Sequence, residues 1–240
     1  MGVVFWPLER ITSMVAALRE PTPSGHNGGT ATLIGFKDRP FLLTAKHVAD
    51  CITINGMIVI KGAGDRPIVI PIRQLVSTAG PTWKPHHEAD IAAFEISPQD
   101  QATHTVLQQR FLQLEFFLEK KAAPQRELFL TSIGFPLGLG TDGYFSPLTF
   151  ESKASSGLLT LPRADTHTPQ AFFALENPSV GGYSGCPVVD LSVFKSGPVT
   201  TYGSGTCFYG VMHGTISDHT GGKIALVTPS FYVHELFATF

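Results

Sequence analysis

Charged residues are scarce in this chain. Only 15% of its 240 residues are Asp, Glu, Lys or Arg, the formal net charge is −2, and no stretch concentrates lysine and arginine. A nucleic acid or an anionic membrane surface would require such a basic patch, so the sequence supports neither as a partner. No run reaches the roughly 20 apolar residues that a membrane-spanning helix needs.

Cysteine is equally sparse. The chain has three, Cys51, Cys186 and Cys207. An odd number without close pairs argues against a disulfide framework and favours reduced thiols in a cytosolic protein. The CxxC spacing of a metal site is missing, and the first ten residues lack the basic segment of a signal peptide. We therefore expect a cytoplasmic protein that uses no metal and no organic cofactor.

Glycine and proline, in contrast, are plentiful and spread along the chain, with 24 and 18 residues. Together with 43% hydrophobic residues, this distribution is typical of a globular protein with many turns between short strands. Runs rich in Ile and Val predict strands. They lie at 30–35, 40–45, 51–54, 57–60, 68–72, 91–96, 127–133, 148–152, 157–161, 171–175, 187–191, 206–212 and 223–227.

The remaining segments are predicted as helices and loops. Apolar residues at helical spacing predict a helix over 8–19, ended by Pro21 and Pro23, and residues 22–29 are expected to form a loop. The Gln-rich residues 101–123 could be a helix or a bridge containing a strand. The last residues, from Pro229 onward, look helical.

Three short stretches carry candidate chemistry. In FLLTAKHVAD (41–50), an apolar strand runs into a turn that presents His47. In HHEADIAAFEI (86–96), Asp90 directly precedes an apolar strand. In NPSVGGYSGCPVVD (177–190), Ser184 occupies a turn between glycines. Each stretch alone is a weak signal, but the three in this order fit a nucleophilic Ser, a His base and an orienting carboxylate.

The same stretches resemble the motifs of trypsin-like serine proteases. TAKHV is similar to their TAxHV signature, ADIAAFEI to their acid-bearing strand, and GYSGCP to GxSGxP. SIGFPLG (132–138) and ASSGLLT (154–160) resemble bacterial Deg/HtrA-type proteases. The resemblance covers roughly residues 28–236 and implies a catalytic triad of His47, Asp90 and Ser184. It also implies an oxyanion hole formed by the N–H groups of Gly182 and Ser184.

The resemblance further implies an all-β, chymotrypsin-like fold with two six-stranded antiparallel β-barrels. We expect an N-terminal helix and loop over 1–27, a first barrel over 28–100 and a connector over 101–124. A second barrel over 125–228 and a C-terminal helix over 229–240 complete the prediction. The active site is expected in the cleft between the barrels.

Several features depart from the secreted digestive enzymes. There are no disulfide pairs and no IVGG-like activation terminus. Tyr183 stands where an Asp usually precedes the nucleophile, and Cys186 replaces the commoner Gly before Pro187. These departures point to a bacterial or viral type of enzyme that is regulated differently.

Other candidate residues were weighed against simpler interpretations. His86, His87, Glu88 and Asp90 could suggest a metal cluster, but neighbours in an extended chain point to opposite faces. A solvated loop leading to Asp90 is the preferred interpretation. Cys186 is expected to be a buried small side chain rather than a nucleophile. The loop GLGTDG (138–143) lacks the Lys-Ser/Thr of a phosphate-binding loop and is expected near the active site.

His213 leaves three interpretations open. Its strand, YGVMHGT (209–215), resembles the wall of the primary specificity pocket, where a His would select Glu or Gln. A shift of one residue would instead place it beside Asp90 as a supporting partner. It could also be an ordinary core histidine. Ser179 and Thr215 are expected as neighbours in the pocket.

The sequence therefore predicts a serine endopeptidase acting on polypeptides through an acyl-enzyme. Two alternatives stay open. The chain could be a latent protease-fold module for recruitment or sensing, gated by an activating protein partner. It could also be an esterase or acyltransferase that uses the same three residues.

Overall fold

The structure is a computed structural model, and it describes residues 4–23, 25–77, 80–163, 165–196, 199–203, 205–217 and 219–240. Strands dominate, and they are β1 Val15–Thr22, β2 Gly25–Phe36, β3 Arg39–Thr44, β4 Met57–Lys61, β5 Pro67–Pro71, β6 Lys84–Pro85, β7 Ala92–Glu95, β8 Leu112–Gln113, β9 Phe129–Gly134, β10 Leu148–Lys153, β11 Leu159–Pro162, β12 Pro169–Leu175, β13 Pro187–Asp190, β14 Val193–Ser196, β15 Val199–Tyr202, β16 Cys207–Ser217 and β17 Lys223–Pro229. The α-helices are short, namely α1 Leu8–Thr12, α2 Lys46–Ala49, α3 Gln101–Leu107 and α4 Phe231–Phe237.

The first sheet has the strand order β5-β4-β1-β2-β3-β7-β6, with the short β8 added in parallel to β2. Its other pairings are antiparallel. Two backbone hydrogen bonds, from Ser97 to Leu75 (2.7 Å) and from Gln99 to Gln74 (2.9 Å), connect the chain after β7 to the chain after β5. They bring the two ends of a six-stranded path together, as a barrel requires.

The second sheet follows the order β10-β9-β13-β16-β17-β12-β11, and every pairing is antiparallel. A bridge between Ala154 and Leu175 joins the end of β10 to β12. Ser155 N donates to Ala174 O at 2.8 Å beside it. Six strands therefore again form a ring, with β11 attached outside it. A separate hairpin, β14–β15, completes the strands.

The predicted helix over 8–19 is wrong beyond Thr12. Residues from Val15 onward form β1, which lies in the first sheet between β2 and β4. Both faces of β1 are buried: Val15 and Ala17 pack into the core between the barrels, and Ala16 and Leu18 into the first barrel. A strand buried on both faces does not alternate between polar and apolar residues. Its continuous apolar run therefore also fits the spacing expected of a helix.

Two other local predictions are also wrong. The predicted loop over 22–29 belongs mostly to β2, whose first residues pair with β1 from Gly25 onward. Residues 51–54, predicted as a strand, form turns in which the amides of Cys51 and Ile52 donate to the carbonyls of Val48 and Ala49. Residues 101–123 contain both predicted alternatives, since α3 is followed by β8. Strands β6, β14 and β15 were not predicted.

A shared apolar core joins the two barrels. It includes Phe41 from β3, Ile133 from β9, and Phe231 and Phe237 from α4. The predicted C-terminal helix thus packs against both barrels rather than standing apart. Among the described residues, the helices are all too short or too polar to traverse a lipid bilayer.

Thr30 is the main polar connection between the barrels. It lies fully buried in β2, and its N–H donates to Ser184 O at 2.9 Å. Its hydroxyl donates to Gly182 O (2.8 Å) and accepts from Phe135 N (3.0 Å). One side chain of the first barrel thereby positions two loops of the second.

Replacing Thr30 tests this connection. Thr30→Val keeps the shape but leaves Phe135 N–H and Gly182 O without their buried partner, which costs about 1–3 kcal/mol. We expect the free energy of unfolding in urea to fall by that amount. Thr30→Ser keeps the hydroxyl and is the control. Equal stability of the Val and Ser variants would contradict the assignment.

Candidate active site

His47 and Asp90 meet because their strands are neighbours. His47 lies in α2, which follows β3, and Asp90 lies two residues before β7. Strands β3 and β7 pair with each other, and Thr44 lies opposite Ala92. The His47 N–H donates to Asp90 Oδ1 at 3.0 Å, and His47 Nδ1 lies 2.7 Å from Asp90 Oδ2. The backbone and the ring of His47 are therefore both held by one carboxylate.

His213 is a second histidine on the same carboxylate. Its Nδ1 lies 2.5 Å from Asp90 Oδ2, and its ring contacts Phe172. A β-bulge explains this placement: Met212 pairs with Val227 and Gly214 with Leu226, so His213 is the extra residue. A bulge redirects a side chain relative to the regular alternation.

Of the three interpretations of His213, the structure therefore supports the second. The side chain contacts Asp90 and is 9% exposed. The expectation that it lines the specificity pocket is wrong, because the bulge turns the ring toward Asp90.

Two further groups surround Asp90. The Asp90 N–H donates to Gln170 Oε1 at 2.8 Å, and Arg163 Nη2 lies 3.7 Å from Asp90 Oδ1. Both come from the chain around β11 and β12, far from Asp90 in sequence. Neither residue lies in a motif, so no local signal in the sequence identifies it.

These contacts shift the pKa values of the pair. Burial raises the pKa of Asp90, but hydrogen bonds from His213 and His47 outweigh it and hold the pKa well below the ordinary 3.8. Burial lowers the pKa of His47, but the hydrogen bond and charge of Asp90 outweigh it, so the pKa is raised above 6.5. Asp90 is thus ionised at neutral pH and favours the imidazolium of His47.

The signs of the two shifts differ in their effect on stability. Asp90 stabilises the fold above its unfolded pKa near 3.8, and this contribution is lost as the pH falls through the folded value. The contribution of His47 is present below 6.5 and is lost as the pH rises through its raised value. Both contributions to stability are therefore fully present between about pH 3.8 and pH 6.5.

Ser184 lies in a turn that packs against the first barrel. Its carbonyl accepts from Thr30 N, and a Cβ on Gly29 would lie 2.8 Å from both Ser184 O and Val48 Cγ2. Because Val48 follows His47 directly, only a glycine in β2 lets the serine turn approach the histidine helix this closely.

The hydroxyl of Ser184 donates to the backbone carbonyl of His213 at 3.0 Å. Within the described part of the chain, no hydrogen bond is recorded for Nε2 of His47. The Ser184 hydroxyl is therefore not hydrogen-bonded to His47 in this arrangement. A rotation about the Cα–Cβ bond of Ser184 would break the hydrogen bond to His213 O and point the hydroxyl in another direction.

The N–H groups of Gly182 and Ser184 donate to no acceptor among the described residues. Gly182 has a φ of +99°, and a Cβ there would lie 2.5 Å from Phe135 O, so glycine is required on both counts. Two unpaired N–H groups flanking a serine hydroxyl are what a developing oxyanion needs.

The predicted pocket neighbours Ser179 and Thr215 contact each other. Thr215 Oγ1 donates to Ser179 O at 2.9 Å. A cavity lined by Ser179, Tyr183 and Met212 among others has a volume of about 10 Å³. The buried hydroxyls of Ser179 and Tyr183 find no hydrogen-bond partner among the residues that the structure describes. This space is of the order of one water molecule.

The remaining candidates lie elsewhere. The expectation of a solvated loop at His86 is wrong: the ring is buried, and its Nδ1 accepts from the N–H groups of Glu88 (3.1 Å) and Ala89 (2.9 Å). This contact shapes the turn that leads to Asp90. Cys186 is fully buried in the second barrel, and burial raises the pKa of its thiol, which disfavours a nucleophilic thiolate.

Three neighbouring side chains among the described residues could be considered as ligands of a metal ion. Atoms of His47, Asp90 and His213 lie within 4.8 Å of one another. The two Nδ1 atoms, however, are already engaged in hydrogen bonds to one carboxylate oxygen. A metal ion would have to break both, so the donor set fits a proton-transfer arrangement better than a metal centre.

Replacing Asp90 should reverse the pKa shift of His47. In Asp90→Asn, burial remains while the opposing charge is gone, so the pKa of His47 should fall below 6.5. NMR titration of labelled imidazoles measures it. Asp50→Asn, which removes a weaker and more distant charge, is the control. A His47 pKa that stays above 6.5 in Asp90→Asn would refute the proposed cause.

Comparison with known proteins finds the same fold over nearly the whole chain. The active form of the Rv3671c protease from M. tuberculosis is 15% identical, with a TM-score of 0.58 over 96% of this chain and 82% of that one. A serine endoprotease from Yersinia pestis is 14% identical, with a TM-score of 0.56 over 97% and 64%. The HtrA-type protease AlgW with tripeptide is 17% identical, with a TM-score of 0.56 over 97% and 61%.

The chain thus spans less than two thirds of the Yersinia and AlgW proteins. No family profile and no curated protein matches its sequence. The structural likeness and the strand topology agree with the expectation of an all-β architecture. The chain has the two-barrel, chymotrypsin-like fold of these serine proteases.

Proposed function

We propose that the protein is a serine endopeptidase with His47, Asp90 and Ser184 as its triad. The observation that carries the proposal is the set of groups around Ser184: a histidine held by a buried carboxylate, and two unpaired N–H groups. The fold shared with serine proteases supports it but, at these identities, does not establish the activity.

In the proposed reaction, Ser184 Oγ attacks the carbonyl carbon of the scissile peptide bond while His47 Nε2 takes the hydroxyl proton. Asp90 stabilises the resulting imidazolium. The carbonyl oxygen becomes an oxyanion and accepts hydrogen bonds from Gly182 N–H and Ser184 N–H, where one such donor is typically worth about 10²–10³ in rate. His47 then protonates the leaving amine, and water hydrolyses the acyl-enzyme.

Active-site labelling tests this proposal. A fluorophosphonate probe should label the wild type, and labelling should be lost in Ser184→Ala and His47→Ala, because the probe reacts only with an activated serine. Ser13→Ala removes a hydroxyl that donates to Arg10 O after α1 and belongs to no part of the proposed site, and it should retain labelling. Labelling that persists in Ser184→Ala would assign the nucleophile elsewhere.

The position of the Ser184 hydroxyl also favours a second candidate, a latent module gated by an activating protein partner. The hydroxyl donates to His213 O instead of His47. Folded wild type that resists the probe would support gating. Labelled protein that hydrolyses esters but not peptides would instead indicate an esterase or acyltransferase.

Small residues are expected before the scissile bond. The primary specificity pocket of trypsin-like proteases lies between the chain before the nucleophile and the strand that here carries Thr215. Thr215 Oγ1 donates to Ser179 O at this position, and the cavity beside Ser179 holds about 10 Å³. A side chain the size of Val or larger would have to break this hydrogen bond.

Peptide profiling should therefore show cleavage after Gly, Ala or Ser. Thr215→Ala removes the connecting hydroxyl and should raise the ratio of kcat/KM for Val over Ala by about tenfold, since pocket contacts of this size are worth roughly 10–200-fold. Thr215→Ser retains the hydroxyl and is the control. Preferred cleavage by the wild type after Leu, Phe or Arg would contradict this assignment of the pocket.

We further propose a bacterial source and a reducing, cytoplasmic location. The source is supported by the sequence departures noted above and by the bacterial proteins with this fold. The location is supported by the three cysteines, which are all free.

Alkylation of the purified protein tests whether folding needs a disulfide. If it does not, the reagent should modify the same three thiols in air and under reductant.

A further inference from the structure

Arg19 crosses from the first barrel to a loop of the second. It lies in β1, and its guanidinium donates to both carboxylate oxygens of Asp142, at 3.1 and 3.0 Å. It also contacts Thr141 Oγ1 and lies 3.5 Å from Gly138 O. Its side chain is only 15% exposed. A planar guanidinium that serves three acceptors fixes the loop much more firmly than a single exposed ion pair would.

The same loop holds the peptide bond that precedes Gly182. Leu137 N donates to Gly181 O at 2.7 Å. Because a trans peptide is planar, its C=O and the following N–H point in opposite directions. Fixing Gly181 O against Leu137 therefore directs Gly182 N–H away from the loop, where it stays unpaired. A reversal of this peptide would remove one of the two oxyanion donors.

The loop contains a strained backbone position. Leu137 has a φ of +53°, which is costly for a residue other than glycine, and its side chain is 75% exposed. Leu139 is also exposed, at 52%. Strained backbone persists only when surrounding contacts enforce it. Turn hydrogen bonds within the segment, such as that from Gly138 N to Phe135 O, contribute to this enforcement, and Arg19 adds side-chain contacts from the first barrel.

We propose that Arg19 is a positioning residue for the oxyanion hole. Through Asp142 and Gly138 it holds the loop in which Leu137 orients the peptide before Gly182. This inference rests on the proposed peptidase function. It assigns to the contact between β1 and the 138–142 loop a role in stabilising the transition state, separate from the nucleophile and its base.

The test compares Arg19→Gln and Asp142→Asn with wild type on a peptide substrate. We expect kcat to fall by about 10-fold to 10²-fold, because a misplaced oxyanion donor loses part of the roughly 10²–10³ that it is worth, with KM nearly unchanged. A peptide aldehyde forms a tetrahedral adduct with Ser184, so its affinity should weaken by a similar factor. Arg19→Lys retains the charge and should recover part of the loss.

Arg39→Gln is the matched control. Arg39 forms a similar two-bond pair with Glu95 on the first barrel, away from the loop. The acid-side pKa of the pH–rate profile should stay the same in all variants, because neither His47 nor Asp90 is touched. Thermal unfolding checks that each variant is folded. Because Asp142 is 83% exposed, Asp142→Asn tests the contact even if Arg19→Gln fails to fold.

The outcomes separate this inference from the proposed function. Wild type that no fluorophosphonate labels would contradict a constitutively active peptidase and support the gated module, so this result concerns the proposed function and not Arg19. If wild type is labelled but Arg19→Gln and Asp142→Asn keep the kcat and aldehyde affinity of Arg39→Gln, the positioning role is overturned. A lower kcat with unchanged aldehyde affinity would overturn it as well, because the oxyanion site would then be intact.

Discussion

The rest of the site depends on the hydrogen bonds that keep the buried carboxylate of Asp90 ionised. An ion removed from water must be compensated by hydrogen bonds and opposite charge, or it becomes neutral. Asp90 obtains this compensation from His47 in the first barrel and from His213 and Arg163 in the second, while Gln170 accepts from its backbone N–H. Keeping one charge ionised therefore constrains how the two barrels meet, and that constraint aligns the base with the cleft.

Contacts from the first barrel also position the turn that carries Ser184. Thr30 bonds to the chain at both Ser184 and Gly182, and Gly29 provides the room for this approach. The nucleophile thus belongs to the second barrel but takes its position from the first. The shared apolar core of the two barrels supports this arrangement without any disulfide. Arg19 extends the pattern to the loop beside the oxyanion groups.

Where the predictions fail, the reason is tertiary. Residues 8–19 have apolar spacing that suits a helix, yet Val15 and the residues after it form a central strand because both of its faces are buried. The same burial hid the first strand from any pattern based on alternation. His213 was assigned three alternative roles because register decides which way a strand residue faces, and the β-bulge at this residue decides the register.

The sequence by itself determined the β-rich class and most strands, and it singled out His47, Asp90 and Ser184 as candidates in that order. It could do so because each lies in a local motif beside an apolar strand or between turn glycines. Only the tertiary structure decided the partners of those residues. His213 lies 123 residues from Asp90, and Arg19 lies 123 from Asp142. Contacts over such separations arise from barrel closure and barrel packing, which leave no local pattern in the chain.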